Sequence, residues 1–229
     1  MAPFDDIAHI EPAGLDGLIL YFSGTCSREV NAKVASCYRA LKYAKPQWLK
    51  EAIPAYDSLL VLFDLTITDS HGVYAFLRHM PLVLETEKSV KKHRIPVWYG
   101  ASQANDLAQV CEHTGLTERD IIDLHTATTY RVYAVGFAPG FAYLGDSPEQ
   151  LSVPRRDTPR TKVPAGAVAI ADRQSAVYPS VSPGGWHLLG LSPMAMVDTT
   201  KAVAGRLQMG DEVTFFAIDE KQYRSWHEQ

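Results

Sequence analysis

The 229-residue chain lacks most of the local signatures that mark a self-contained active site. No glycine-rich run ends in Gly-Lys-Ser or Gly-Lys-Thr, so there is no ready cradle for a triphosphate. No Gly-x-Gly-x-x-Gly turn offers a dinucleotide site, and neither His-Glu-x-x-His nor Gly-x-Ser-x-Gly occurs. Cysteine is sparse: Cys26, Cys37 and Cys111 are odd in number, far apart and form no Cys-x-x-Cys pair. Neither a disulfide framework nor a metal site is expected. The longest apolar run, Leu59 to Phe63, is far too short to span a bilayer. A formal charge of −4 gives no general attraction to nucleic acid or anionic membrane. The N-terminal Asp5 and Asp6 stand where a signal peptide would be basic, so a soluble cytoplasmic protein is expected.

What the chain has is ordinary core material, 46% hydrophobic and 21% charged residues. Gly17 to Phe22 reads as a strand, and Val30, Val34, Cys37 and Leu41 then recur at helical spacing until Pro46. Trp48 to Tyr56 and Ser58 to Leu65 read as strands joined near Pro54, the second apolar enough to be buried on both faces. Asp69 or Ser70 can cap a helix carrying Val73, Phe76 and Leu77, which Pro81 should kink or restart. Arg94 to Tyr99 is a further strand. The order β-α-β-β-α-β is that of a ferredoxin-like half-domain. After Gly100, a short helix with Leu107, Val110 and Cys111 ends at Gly115. Thr117 to Asp120 forms a capping-box-like start for another, which carries Ile121, Ile122 and Leu124. From Tyr130 onward, glycine, proline, valine and aromatics predict short strands in a closed or nearly closed barrel. The fold class is α+β, with a tight boundary near residues 90–95 dividing 1–93 from 94–229.

The segment from Val135 to Gly145 holds Phe137, Pro139, Gly140, Phe141 and Tyr143. Its aromatics would be costly in water, and its glycines and proline interrupt a ladder. It suits either a cavity wall or a glycine-bent strand in a barrel core. Ser182 to Trp186, with Pro183, Gly184 and Gly185, offers a turn and an indole wall, for a substrate lid or a plain barrel corner. Between them, residues 155–162 hold four cations (Arg155, Arg156, Arg160, Lys162) and one anion, Asp157. Arginine forks suit carboxylate or phosphate, although a solvated loop paired with nearby acids has the same composition. Gly166 permits close backbone approach. Tyr143 and Tyr178 are candidate hydroxyl donors to a substrate carbonyl, or core packing. His125, near a helix end, reads first as structural, and His187 as a possible proton donor.

The run GFAPGFAYLG, then PRRDTPRTKVPAGAVAIA, then YPSVSPGGWHLLG resembles the 5-oxoprolinase B-subunit family, also described as allophanate hydrolase subunit 1 or the Kip kinase-inhibitor type. Ala55 to Val61, Ile95 to Gly100 and Met209 to Val213 extend the resemblance over nearly the whole chain. It implies a cyclophilin-like β-barrel for the C-terminal part. It also implies a cytoplasmic component of a multi-chain enzyme. With the 5-oxoprolinase A subunit and a homologous second carboxyltransferase-type subunit, such a chain opens 5-oxoproline to glutamate using ATP, magnesium-bound in the assembled complex. Arg155 and Arg160 occupy the motif's arginine positions. The resemblance leaves the catalytic residues unassigned. Related carboxyltransferase domains act on biotin-linked carboxyl groups, but no Met-Lys attachment pair occurs here, so any biotin would arrive on a partner. The Kip branch implies another role, inhibition of a histidine kinase.

The chain also departs from the family's pattern. Ala101 to Asn105 replace a glycine-rich run, Ala167 stands where a serine is common, and Ser175-Ala176 replace Thr-Gly. Gly190-Leu191-Ser192-Pro193 lacks a frequent arginine, and His187 stands where glutamine is usual. These changes remove a hydroxyl, two turn options and an anion fork around the expected site.

Overall fold

The computed structural model describes residues 3–25, 27–81, 90–198 and 205–226, and the chain divides into two compact units, Met1–Val90 and Lys91–Gln229. Cys26 lies outside the described residues. Among those described, no helix is long and apolar enough to cross a membrane.

The first unit runs β1 (Ile7–Pro12), β2 (Gly17–Phe22), α1 (Ser27–Ala44), β3 (Leu49–Pro54), β4 (Ser58–Phe63) and α2 (Ser70–His79). Its strands form one antiparallel sheet in the order β1-β2-β4-β3. In α1, Val34, Cys37 and Leu41 are fully buried. The helix stops because Lys45 adopts a left-handed φ of 43°, its N–H bonds Leu41 O at 3.0 Å, and Pro46 follows. Asp69 is the cap of α2, its carboxylate accepting the Gly72 N–H at 2.9 Å.

Two strand assignments differ from the sequence reading. Arg94 to Tyr99, expected to complete this sheet, lies in β5 (Lys92–Tyr99) of the second unit, and β1 fills the place beside β2. That first strand has no fully buried residue, and His9 and Glu11 stand exposed on it, so it gives no apolar alternation to read. In β4, Leu59, Val61 and Phe63 are buried while Leu60 and Leu62 are only partly covered. A continuous aliphatic run here has one buried face, not two.

The second unit continues with α3 (Leu107–Thr114), α4 (Glu118–Ala127), β6 (Thr129–Val135), β7 (Ala142–Gly145), β8 (Arg160–Val163), β9 (Ala167–Ala171), β10 (Gln174–Val177), β11 (Ser182–Gly184), β12 (His187–Leu191), β13 (Glu212–Ala217) and α5 (Glu220–Arg224). Seven strands close into the expected barrel, in the order β10-β7-β6-β13-β5-β12-β9, and β10 returns to pair with β9. Only β5 and β13 run parallel; the other barrel pairs are antiparallel. Strands β8 and β11 form a separate two-stranded ribbon.

Alternation along the barrel strands separates three clusters. Ile95, Val97, Val132, Leu144, Val168 and Val213 belong to one, and Ala169, Leu188 and Trp186 to a second. Ile170 and Leu189 join Leu107, Val110 and Ile121 of α3 and α4 in the third. Strands β9 and β12 are therefore buried along their whole length. The helices that cover them start and stop where the sequence says. Gly115 takes φ 74° at the end of α3, and Thr117 and Asp120 make a reciprocal capping box on α4.

Gly190 marks the tightest seam between β12 and β5, since a Cβ there would lie 2.3 Å from Trp98 O and 2.8 Å from Tyr99 Cα. Gly190→Ala is expected to destabilise the protein by about 1–3 kcal/mol, read as a lower midpoint in urea unfolding.

Candidate functional site

The loop between β6 and β7 is built to bring an aromatic ring inward. Gly136 N–H bonds Phe141 O and Phe141 N–H bonds Ala138 O, both at 3.0 Å, folding the segment back on itself. Gly140 has φ 80°, and a side chain there would meet Val197 Cγ2 at 2.4 Å. Phe137 holds a left-handed φ of 69° without being glycine, and the residue is 63% exposed. A bulky residue in that region is strained and calls for an explanation in function.

Phe141 is the hub of the resulting cluster. Its ring meets Phe137, Tyr143, Tyr178 and Trp186 edge-on, with centroids 5.3, 5.0, 5.2 and 6.0 Å away. These rings bound a cavity of about 220 Å³ that Arg155, Arg156, Pro159, Pro183, Gly184 and Gly185 complete. Gly184 lets the β8–β11 ribbon lie directly against the phenol, for a Cβ there would be 2.2 Å from Tyr178 Oη. Burial raises the Tyr178 phenol to about 12, so it stays protonated at neutral pH and can donate.

The cationic segment divides its arginines between two roles. Arg160 Nη2 donates to Asp106 Oδ1 at 2.5 Å and Arg156 Nη1 to the same oxygen at 3.3 Å. Asp106 Oδ2 accepts the Leu188 N–H at 2.7 Å. The carboxylate is almost wholly buried. Asp106 holds the position before α3 but does not cap it; Asn105 Oδ1 takes the Leu107 N–H instead. Arg156 also donates to Gln109 Oε1, and its backbone N–H bonds Gly185 O at 2.7 Å. Arg155, by contrast, is exposed at the cavity and has no ion pair among the described residues.

The structure thus gathers Phe137, Phe141, Tyr143, Arg155, Tyr178, Pro183, Gly184, Gly185 and Trp186 around one cavity. Arg160 is outside its lining, tied to Asp106. Pro139 and Gly140 shape the loop behind it. Gly166, at φ 80°, permits a backbone crossing in which a Cβ would meet Ser192 O at 2.3 Å. Arg156 and Pro159 also line the cavity, and Asp106 anchors Arg156, yet none of the three is a site candidate from sequence. A carboxylate just before a helix is the available signal for Asp106, although its partners lie 50 and 54 residues away.

His125 is fully buried and stacks on Phe215 at 4.4 Å. Its contacts fix one neutral tautomer. Ser175 Oγ donates to Ala169 O at 3.2 Å, so it accepts from His125 Nε2 at 3.0 Å, and Nδ1 accepts from the Tyr99 hydroxyl at 2.7 Å. Burial pushes the imidazole down to about 3, so the ring is neutral at physiological pH and bridges Ser175 and Tyr99. His187 donates from Nε2 to Pro154 O at 3.1 Å and lies outside the aromatic cavity.

A family model described as the carboxyltransferase domain, subdomain C and D, matches residues 8–205. The B subunit of 5-oxoprolinase from Bacillus subtilis (strain 168) is 32% identical over 240 residues, covering 96% of this chain and 97% of that protein. The chain belongs to the 5-oxoprolinase B-subunit family. Its likeness to the crystal structure of TTHA0988 has a TM-score of 0.81 at 35% identity, covering 90% of this chain. The chain spans 40% of that longer protein. Urea carboxylase of Kluyveromyces lactis shares the fold, with a TM-score of 0.72 at 14% identity over 96% of this chain and 24% of that one. In this B-subunit family member, the aromatic loop and the Pro-Gly-Gly-Trp turn are thus the segments that wall the cavity.

Asp106→Asn leaves two guanidinium groups facing each other without their buried counter-charge, and is expected to cost about 3 kcal/mol in urea unfolding. His125 gives a pH signature. Its folded pKa of about 3 lies below the ordinary 6.5, so the unfolded chain takes up the proton first as pH falls. Stability from this group is complete above 6.5 and is lost as pH drops toward 3. Relative to His125→Gln, the wild-type protein should lose up to about 1.4 kcal/mol per pH unit in that window, measured by urea unfolding at stepped pH.

Proposed function

We propose that this chain is the B subunit of a cytoplasmic, ATP-dependent 5-oxoprolinase, acting with the enzyme's A subunit and with a homologous carboxyltransferase-type chain. The observation that carries this reading is the aromatic cavity with Arg155, which has no ion pair among the described residues, at its edge. 5-Oxoproline is a flat five-membered lactam with one carboxylate. Phe141, Tyr143 and Trp186 bury its apolar ring faces, Arg155 takes its carboxylate, and the Tyr178 hydroxyl donates to its carbonyl oxygen.

The chemistry explains why such a pocket is needed. A lactam is a poor electrophile, and ATP supplies the phosphoryl group that turns its oxygen into a leaving group. The residues of this chain hold the ring, exclude bulk water from it and fix the carbonyl by a phenol that burial keeps protonated. The cavity does not fit the nucleotide itself. At about 220 Å³ it is smaller than the usual small-molecule site, which begins near roughly 300 Å³. Its walls are aromatic, and the sequence has no phosphate loop. ATP and its magnesium are assigned to the companion chains.

The test is glutamate release and ATP hydrolysis by this protein alone and with its two companions. Turnover only in the full mixture is expected. Arg155→Ala should then lower kcat/KM by about 10–100-fold, the worth of a charge-assisted hydrogen bond. A stable complex without turnover would instead favour a urea- or allophanate-type carboxyl transfer or amide hydrolysis. Failure to form any complex would favour the histidine-kinase inhibitor reading.

A further inference from the structure

A second cleft of about 290 Å³ lies on the other side of Arg155 and Arg156, and the two arginines line both spaces. Its character is opposite to that of the aromatic cavity. Glu112 and His113 of α3 and Asp157 stand exposed along it, while His187 is buried and Arg156 half-buried. No aromatic ring other than the two imidazoles lines it.

Charge selects the ligand. Two guanidinium groups and two carboxylates line the cleft, so a phosphate dianion would meet as much repulsion as attraction. Arg156 is already partly neutralised by Asp106. A molecule carrying both signs a few bonds apart satisfies both pairs. Two polar atoms of the residues that line the cleft are enclosed behind its surface. His187 Nε2 donates to Pro154 O, which leaves Nδ1 as an acceptor, and that atom is buried with no partner. Arg156 Nε is likewise buried and unpartnered.

We infer that this polar cleft binds a zwitterionic α-amino acid, its carboxylate toward Arg155 and Arg156 and its ammonium toward Glu112 and Asp157. Resting on the 5-oxoprolinase reading, the ligand is glutamate, the ring-opened product. Ring opening adds an ammonium and a second carboxylate to a molecule that had neither. The aromatic cavity holds no acid to receive the ammonium, whereas the cleft next to it has two. Substrate and product would then occupy neighbouring spaces that share Arg155, with polarity driving the transfer.

Isothermal titration of the full chain with L-glutamate, glutarate and 5-oxoproline tests this. Glutarate keeps both carboxylates of glutamate and lacks the ammonium. L-Glutamate should bind better than glutarate, and Glu112→Gln with Asp157→Asn should weaken glutamate by about tenfold or more while leaving 5-oxoproline unchanged. Trp186→Ala should do the reverse. Equal binding of glutamate and glutarate, no glutamate binding, or indifference of glutamate to the double substitution would overturn the inference. Glutamate binding with the expected dependence, in a complex that does not turn over 5-oxoproline, would support the amino-acid cleft and count only against the substrate reading.

Discussion

A buried carboxylate must be neutralised, and the way Asp106 meets that requirement organises the second unit. One oxygen receives two guanidinium groups and the other a barrel amide, while the Asp106 N–H bonds Leu188 O at 2.6 Å. The entry to α3, strand β12 and the arginine loop are thereby pinned at one point. Charge burial of this kind contributes modest net stability, because desolvation offsets much of the attraction. What it supplies is geometry: two arginines are held, and the third, Arg155, has no carboxylate partner among the described residues. The wall between the two cavities is made from this arrangement.

The aromatic cluster depends on a different constraint, the approach distance of backbone to ring. Gly184 against Tyr178, and Gly145 with its Cβ position 2.6 Å from Tyr133 Cε2, show where the chain is thinned to admit a ring. Edge-on packing then joins Phe141 to Tyr143 and Trp186 along the cavity wall. Burial among the same rings raises the Tyr178 phenol further above its ordinary value.

Local chemistry was legible where one residue decides it. Thr117 with Asp120, Gly115, Asp69 and Pro46 mark helix ends by capping or by steric exclusion, and each end falls where those rules place it. Composition leaves the aromatic loop open between a cavity wall and a bent core strand, and the Pro-Gly-Gly-Trp turn open between a lid and a barrel corner; in the structure both segments line one cavity. Partner choice was not legible. The β5 segment has the same residues whether it completes an N-terminal sheet or closes a barrel, and only its pairing with β13 and β12 decides. Arg160 reads as an open anion fork until Asp106 is found beside it. Long-range pairing leaves no period in the sequence, so Asp106, Arg156 and the polar cleft could not be assembled from it.

The parallel pairing of β5 with β13 has a consequence for how the protein is made. Six register pairs, from Lys92 with Glu212 to Ala217 with Val97, join segments so distant that the Thr214 hydroxyl reaches the His93 carbonyl across 121 residues. A ribosome delivers β5 long before β13. Until the later strand emerges, β5 has one partner edge empty, and the hydrophobic face it shares with β6 cannot be enclosed. High contact order slows such closure, and an open strand edge invites intermolecular pairing meanwhile.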